Sequence, residues 1–489
     1  MILFKGSYIA FVICVILAYY TIFRRAQWTL LLAASLFFYV YFTKSYFIFF
    51  SIINIYLFSL LIHKIENKGL KKAAVTACLF FNFSFLFFIK YTPLLSDRFN
   101  LLIPLGISFY MFQSISYIMD LYWGRVEIEK NPLKLALFIS YFPQVIQGPI
   151  GRFDALMPQL LENKSYDSDN LRYGFETICW GAFKKIFIAD HLGLLVNTVF
   201  DSYGSYPGLF VFLTVFAYSI QIYADFSGGI DIVRGISQIL GIDMAVNFRR
   251  PFFSRSLADF WRRWHISLGT WMKDYVFYPL NLSRPLVFVN KKAKKHFGRK
   301  RGKLISICLS TYILYFIVGI WHGAGTNYVL YGLWNGTIIS FSLYLEGTYK
   351  KTLAKLGIDP KARAYILFQI IRTNLLVTLG RYFSRASGAL VALKMWAHTF
   401  KNFHLGSAPL YLLHEMGYTN SELIVLFVSI FLVFLVDLAF EEGVNLYKSF
   451  DEASTPVQFG VIGAFALAFV VFVVYAGGYV PTEFIYRQY

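Results

Sequence analysis

Leu304-Ile-Ser-Ile-Cys-Leu-Ser-Thr-Tyr-Ile-Leu-Tyr-Phe-Ile-Val-Gly-Ile-Trp-His-Gly-Ala-Gly325 is a run of membrane grade that ends on a histidine. The residues from 304 to 321 are mostly apolar, and as a helix they rise about 27 Å, close to the thickness of a bilayer's hydrocarbon core. His322 then lies across most of the bilayer from the basic stretch before Leu304, or nearer mid-depth if the helix tilts. An ionisable ring is expensive there and marks a reaction centre or a substrate path by default. Gly323-Ala-Gly325 leaves room for a ligand or another backbone to approach, and the apolar run resumes over 326–345. A histidine at a helix break can take a hydroxyl proton at neutral pH, since its ordinary pKa is about 6.5. The same residues also suit a kink histidine that packs and does no chemistry.

The rest of the 489-residue chain is of the same kind, 57% hydrophobic, 20% aromatic and only 15% charged. Soluble domains carry about 25% charged residues, so the composition excludes a water-soluble fold. Candidate spans are 7–23, 28–43, 45–62, 73–90, 101–121, 133–150, 173–189, 207–224, 304–321, 326–345, 363–383, 422–440 and 457–478. The expected fold is an all-α polytopic membrane protein with roughly ten to thirteen membrane-embedded helices, some re-entrant, around a central cavity. Met1 onward has no basic stretch of any length and no Ala-x-Ala site, so the first segment reads as a retained span. The polar connections are too short to bury a core of their own. The chain therefore reads as one membrane domain, 1–489, with peripheral N-terminal helices over 1–134, a central block over 135–345 and C-terminal helices over 346–489.

The net charge of +19, from 46 Lys+Arg against 27 Asp+Glu, falls in connections and follows the positive-inside pattern rather than pointing to nucleic acid. If Arg24-Arg25, the lysines at 64–72, Lys130 and Lys134 mark cytoplasmic loops, the N-terminus lies outside and the parity holds to residue 132. The densest cluster, Lys291 to Lys303, is a topology anchor or an attractor for an anionic donor or lipid. Cys14, Cys78, Cys179 and Cys308 stand singly in apolar segments and read as small buried hydrophobes, with no zinc or disulfide framework.

Three further stretches could carry chemistry. Ser254 to Leu280 contains Phe260-Trp-Arg-Arg-Trp-His-Ile-Ser267 after a capping-box-like Ser256-x-x-Asp259. Helical spacing puts Trp261, Trp264, His265, Leu268, Met272 and Tyr275 on one face of an interfacial or re-entrant helix. A core histidine satisfied by one hydrogen bond fits that spacing equally well. In Tyr223-Ala-Asp-Phe-Ser-Gly-Gly-Ile-Asp231, Asp225 and Asp231 end or interrupt a span begun near 207. Asp225 either orients a histidine or pairs with Arg249, Arg250 or Arg255. In Tyr141-Phe-Pro-Gln-Val-Ile-Gln-Gly-Pro-Ile-Gly-Arg152 the prolines and glycines spell a broken helix or re-entrant loop, with Gln144 and Gln147 as uncharged hydrogen-bonding groups. No Walker loop, Gly-x-Ser-x-Gly, His-Glu-x-x-His or dinucleotide fingerprint is present. The residues alone give a membrane-embedded cavity with two histidines, suited to base-assisted transfer on a hydroxyl.

Taken in order, Tyr141-Phe-Pro-Gln, Asp225-Phe-Ser-Gly, Asn247-Phe-Arg-Arg-Pro-Phe, Asp259-Phe-Trp-Arg-Arg-Trp-His-Ile-Ser-Leu, Trp321-His-Gly-Ala-Gly and the terminal Glu483-Phe-Ile-Tyr-Arg-Gln-Tyr489 resemble the membrane-bound O-acyltransferase (MBOAT) superfamily. Within it they are most similar to the bacterial polysaccharide O-acetyltransferases, typified by the alginate branch. The resemblance implies His322 as the catalytic residue and His265 as the second characteristic one. The expected wall of the cavity comes from Trp321, Trp264, Trp261, Asp225, Ser227, Asn247 and Gln144, and no resident cofactor or metal is expected. Arg249, Arg250, Arg262 and Arg263 are candidates for the donor phosphates, although arginines near an interface more often snorkel or pair.

The activity so implied is transfer of an acetyl group from cytoplasmic acetyl-CoA towards hydroxyls of an extracytoplasmic polysaccharide. It proceeds directly or through a secreted or membrane-anchored acetyltransferase partner of the serine-hydrolase type, in a bacterial inner membrane. Two alternatives stand beside it: D-alanyl transfer to teichoic acid from a carrier-protein thioester, and transport of a lipid-linked sugar. The absence of internal repeats weighs against the last. Two departures from the family pattern are visible. Gly380-Arg-Tyr-Phe-Ser-Arg-Ala386 stands where a Trp-Val-Phe-Phe-Arg-Ala-like run is usual, and Arg487 interrupts the last aromatic pair. Both are expected to lie away from the proposed centre and to bear on partner docking or acceptor choice.

Overall fold

The computed structural model describes residues 2–95, 106–406, 409–460 and 462–463. The N-terminal helices are α1 (Gly6–Tyr20), α2 (Gln27–Thr43), α3 (Phe47–Lys64), α4 (Lys68–Leu95) and α5 (Ile107–Tyr122). A broken segment follows as α6 (Pro132–Ser140), α7 (Phe142–Gln147) and α8 (Phe153–Leu161). Next come α9 (Ser168–Phe183), α10 (Asp190–Asp201) and the long α11 (Gly208–Ile239). After these lie α12 (Leu257–Arg263), α13 (Ile266–Met272), α14 (Tyr278–Leu282), α15 (Arg284–His322) and α16 (Thr326–Lys355). The chain continues through α17 (Arg363–Arg385), α18 (Ala389–Lys401), α19 (Pro409–Glu415), α20 (Asn420–Glu441) and α21 (Leu446–Asp451).

Among the described residues, α3, α4, α11, α15 and α20 are long and apolar enough to cross a membrane. Large apolar side chains such as Ile53 and Leu57 on α3 and Phe427 and Phe431 on α20 point outward. Outward apolar faces on helices that satisfy their own backbone are what lipid requires. The chain is an all-helical, multi-pass membrane protein.

α11 is the central post. It packs against α7, α9, α10, α17 and α18. Its contact with α9 is close because glycine faces glycine. A Cβ on Gly181 would come within 2.5 Å of the Gly228 carbonyl oxygen, and one on Gly235 within 2.4 Å of that of Gly174. Small residues let membrane helices approach backbone to backbone. α5, which the sequence reading grouped with the periphery, is buried along nearly its whole length.

The structure revises several of the expected spans. The 133–150 segment divides at Tyr141 into α6 and α7, each too short to cross, as its Pro143 and glycines foretold. α11 does not stop at Asp225 or Asp231 but runs on to Ile239. It can do so because a π-helical turn over Lys184–Ala189 aims two adjacent lysines at it. Lys185 holds Asp225 and Asp190, each at 2.7 Å, and Lys184 holds Asp231 at 2.6 Å. Asp225 therefore pairs with Lys185, a cation that its sequence neighbourhood does not announce. Cys14 is exposed on α1, unlike the buried Cys78. Most of 457–478, the terminal 483–489 motif and the start of 101–121 lie outside the described residues.

α15 is two arms. Gly298, at φ 77°, turns the chain back so sharply that Gly302 lies against the backbone of Ala293 and Lys294. Ser310 accordingly reaches Asn281, beyond the start of the first arm, at 2.9 Å. The second arm carries the 304–321 run to His322 and pairs with α16 through another glycine contact, Gly332 against the Tyr315 carbonyl.

Candidate functional site

His265 does not sit on a helical face, as its spacing suggested. Ser256 caps α12 as expected, accepting from the Asp259 amide at 3.1 Å. The helix then ends at Arg263, Trp264 is extended, and His265 takes a left-handed conformation at φ 49° before α13 begins. The cause is a short antiparallel pairing with 247–249. The Arg249 amide donates to the Arg263 carbonyl at 2.9 Å, and the Ile266 amide donates to the Asn247 carbonyl at 3.0 Å. Phe248 faces Trp264 across this bridge. The Asn247 side-chain oxygen accepts from the Ser267 amide at 2.9 Å and lies 3.3 Å from His265 Nδ1. The buried imidazole is walled by Phe109 and by the edge of Phe226, at ring separations of 6.0 and 4.8 Å.

His322 is the last residue of α15, and helix resumes only at Thr326. The break is built around the ring of Tyr328, because a Cβ on Gly323 would meet it at 2.3 Å. Tyr91 of α4 donates to the Ile320 carbonyl at 2.9 Å, which steadies the open end of α15. His322 is buried against Tyr331, ring to edge at 5.5 Å.

Trp321 joins the two histidines. Its ring lies 6.3 Å from that of His265 and 4.8 Å from that of His322, with Phe112 at 5.8 Å on another side. Trp261 donates to Asn335 of α16 at 3.0 Å and has Tyr331 at 6.3 Å. The structure thus gathers His265, His322, Trp261, Trp264 and Trp321 into one aromatic cluster. Arg381 of α17 belongs to it too. Its guanidinium lies 4.9 Å from the Trp264 ring and its Nη1 is 3.4 Å from the Tyr331 hydroxyl. The 380–386 departure, expected to lie away from the centre, is part of its wall. Gly380 is needed there because a Cβ would come within 2.9 Å of Trp334.

The other sequence candidates divide between support and surface. Gln144 donates to Gln113 and to the Pro149 carbonyl, while Ser267 accepts from the Ile150 amide at 3.1 Å, so the 141–150 loop braces α13. Asp225 and Ser227 serve Lys185 and Lys184. Arg250 and Arg263 both grip Glu441 of α20 at 2.9 Å, whereas Arg249 and Arg262 are exposed. Sequence reasoning missed Tyr91, Phe112, Tyr331 and the role of Arg381 as a wall residue. Only Arg381 gave a signal, a cation within an otherwise spanning run.

The model of the MBOAT, membrane-bound O-acyltransferase family, matches residues 129–292, which include α12, α13 and His265. A peptidoglycan O-acetyltransferase of Helicobacter pylori is 30% identical over 405 residues, covering 75% of this chain and 72% of its own. A probable alginate O-acetylase of Pseudomonas syringae is 32% identical over 301 residues, 62% of this chain and 52% of its own. A teichoic acid D-alanyltransferase of Bacillus subtilis is 31% identical over 261 residues, 52% of this chain and 62% of its own. The match spans about half the length of the alginate relatives. With the two histidines held in one buried aromatic cluster and a relative matched over most of its length, the chain belongs to the membrane-bound O-acyltransferase family.

Proposed function

We propose that the protein is a membrane O-acetyltransferase that moves an acetyl group from cytoplasmic acetyl-CoA towards hydroxyls of an extracytoplasmic polysaccharide, with His322 as general base. The observation that carries this reading is the position of His322 at the broken end of a membrane helix, joined to His265 through Trp321. The similarity to alginate and peptidoglycan O-acetylating proteins supports the reaction class.

His322 takes the proton of the acceptor hydroxyl as its oxygen attacks the thioester carbonyl. The adduct then collapses, the carbon–sulfur bond breaks, and the leaving thiolate recovers the proton from the imidazolium. His265, fixed by Asn247, positions donor or acceptor or supplies a hydrogen bond. Trp261, Trp264 and Trp321 shape the passage and exclude water, which strengthens polar interactions within it. Arg249 and Arg262, both exposed although Arg262 pairs with Asp259 at 3.4 Å, are better placed for donor phosphates than Arg250 and Arg263, which Glu441 engages. Delivery to the polysaccharide is direct or runs through a secreted or membrane-anchored partner of the serine-hydrolase type, and the location is a bacterial inner membrane.

The test is O-acetyl content, released by mild base, in cells lacking the gene and complemented at matched membrane levels. Wild type restores the esters, and His322→Ala lowers transfer by about 100-fold or more, the usual scale for losing a general base. Full acetylation by His322→Ala overturns the mechanism. A second reading, D-alanyl transfer from a carrier protein, draws on the similarity to the Bacillus subtilis relative. Transfer of labelled D-alanine with its carrier protein, and none of labelled acetyl, selects it.

A further inference from the structure

Arg381 is a buried cation whose bonding is half complete. Its residue is only 3% exposed. Trp264 covers the guanidinium and Tyr331 engages Nη1 at 3.4 Å, but Nε and Nη2 have no hydrogen-bond partner among the described residues. The carboxylate that serves α12, Glu441, is taken by Arg250 and Arg263. Nε and Nη2 form one edge of the guanidinium fork, the edge that accepts the two oxygens of a carboxylate or phosphate in parallel. A buried charge with an unmet edge is costly until an anion completes it. Tyr331, whose hydroxyl accepts from Arg381, also packs its ring against His322 at 5.5 Å.

We propose that Arg381 binds an oxyanion carried by the acyl acceptor, the carboxylate of an acidic sugar or a phosphodiester, and so presents the neighbouring acceptor hydroxyl to His322. This rests on the acyl-transfer reading above and adds to it that the acceptor is anionic. The contact with Trp264 fixes the tilt of the guanidinium and that with Tyr331 its rotation, so the unmet edge has a set direction.

The experiment uses the purified full-length protein in detergent and measures binding of three soluble probes: an oligouronate, its carboxyl-reduced neutral counterpart, and a glycerol-phosphate oligomer. Wild type prefers one of the acidic probes to the neutral one, and which one identifies the source of the anion. Arg381→Met loses that preference, about tenfold or more for a charge-assisted contact, without weaker binding of the neutral probe. Arg381→Lys keeps the charge but not the two-pronged edge and retains only part of the preference. It carries the test by itself if the Met variant does not fold. His322→Ala keeps the preference intact. No preference in wild type, or an unchanged one in Arg381→Lys and Arg381→Met, overturns the inference. So does a loss of kcat that is equal for acidic and neutral acceptors with KM unmoved. Normal discrimination by a protein that transfers no acyl group sinks the proposed function instead and leaves the anion site standing.

Discussion

Asn247 bears more of the site than its size suggests. Its carbonyl accepts from the Ile266 amide, its side-chain oxygen accepts from the Ser267 amide, and the same oxygen lies beside His265 Nδ1. In Asn247→Ala the Ser267 amide is left buried and unmet, at a cost of about 1–3 kcal/mol. His265 also loses the group that orients it. The expected outcome is a lower Tm in detergent together with reduced acetyl transfer. Asn247→Asp, which keeps an acceptor oxygen, recovers more of the Tm than Asn247→Ala does. Equal Tm values for wild type and Asn247→Ala count against this role. The sequence marked out the motif around His265 but not its geometry. Counting by helical period assigns it a face, because the 247–249 pairing that breaks the helix comes from residues about 18 positions upstream. Arg381 was visible as a cation in a spanning run, yet its contact with Trp264 bridges more than a hundred positions and no local pattern reports it.

At the level of elements, the buried charges between the π-helical turn and α11 decide whether the central post stands. Lys185 answers two buried carboxylates, so its loss removes one cation from both Asp225 and Asp190. Removing one partner of a buried pair typically costs about 3–5 kcal/mol. Lys185→Met is therefore expected to fall sharply in folded membrane yield, read by fluorescence-detected size exclusion of a tagged protein. Asp225→Asn is milder, because Lys185 keeps Asp190. A Lys185→Met variant that folds at wild-type yield contradicts this account. The same charges explain why the sequence ended a span at Asp225. A carboxylate in an apolar run reads as a terminus until its cation is known, and the cations here lie 40 positions earlier in another helix. Where elements depend on local signals, they were legible. Proline and glycine broke 141–150, Ser256 capped α12, and the small residues after His322 ended α15.

Across the whole molecule, orientation follows from the hairpin at Gly298. Both arms of α15 near this turn carry exposed basic residues, including Lys292, Lys295, Arg299 and Lys300. By the positive-inside pattern such a cluster beside a span is expected on the cytoplasmic side. The second arm then leads from Lys303 to His322, a rise of about 28 Å, which puts the histidine towards the opposite face. That separation suits a donor entering from one side and an acceptor met near the other, with the aromatic cluster between them. The prediction concerns Phe297, which is 59% exposed at the tip of the hairpin. In a background with the four native cysteines replaced, Phe297→Cys is expected to resist a membrane-impermeant maleimide in intact spheroplasts and to react after permeabilisation. Tyr46, 70% exposed between α2 and α3, belongs to the other side by the alternation of the basic connections. Tyr46→Cys should react without permeabilisation. Labelling of Phe297→Cys in intact spheroplasts would invert the molecule, place His322 towards the cytoplasm, and remove the cross-membrane arrangement on which delivery to an extracytoplasmic acceptor depends.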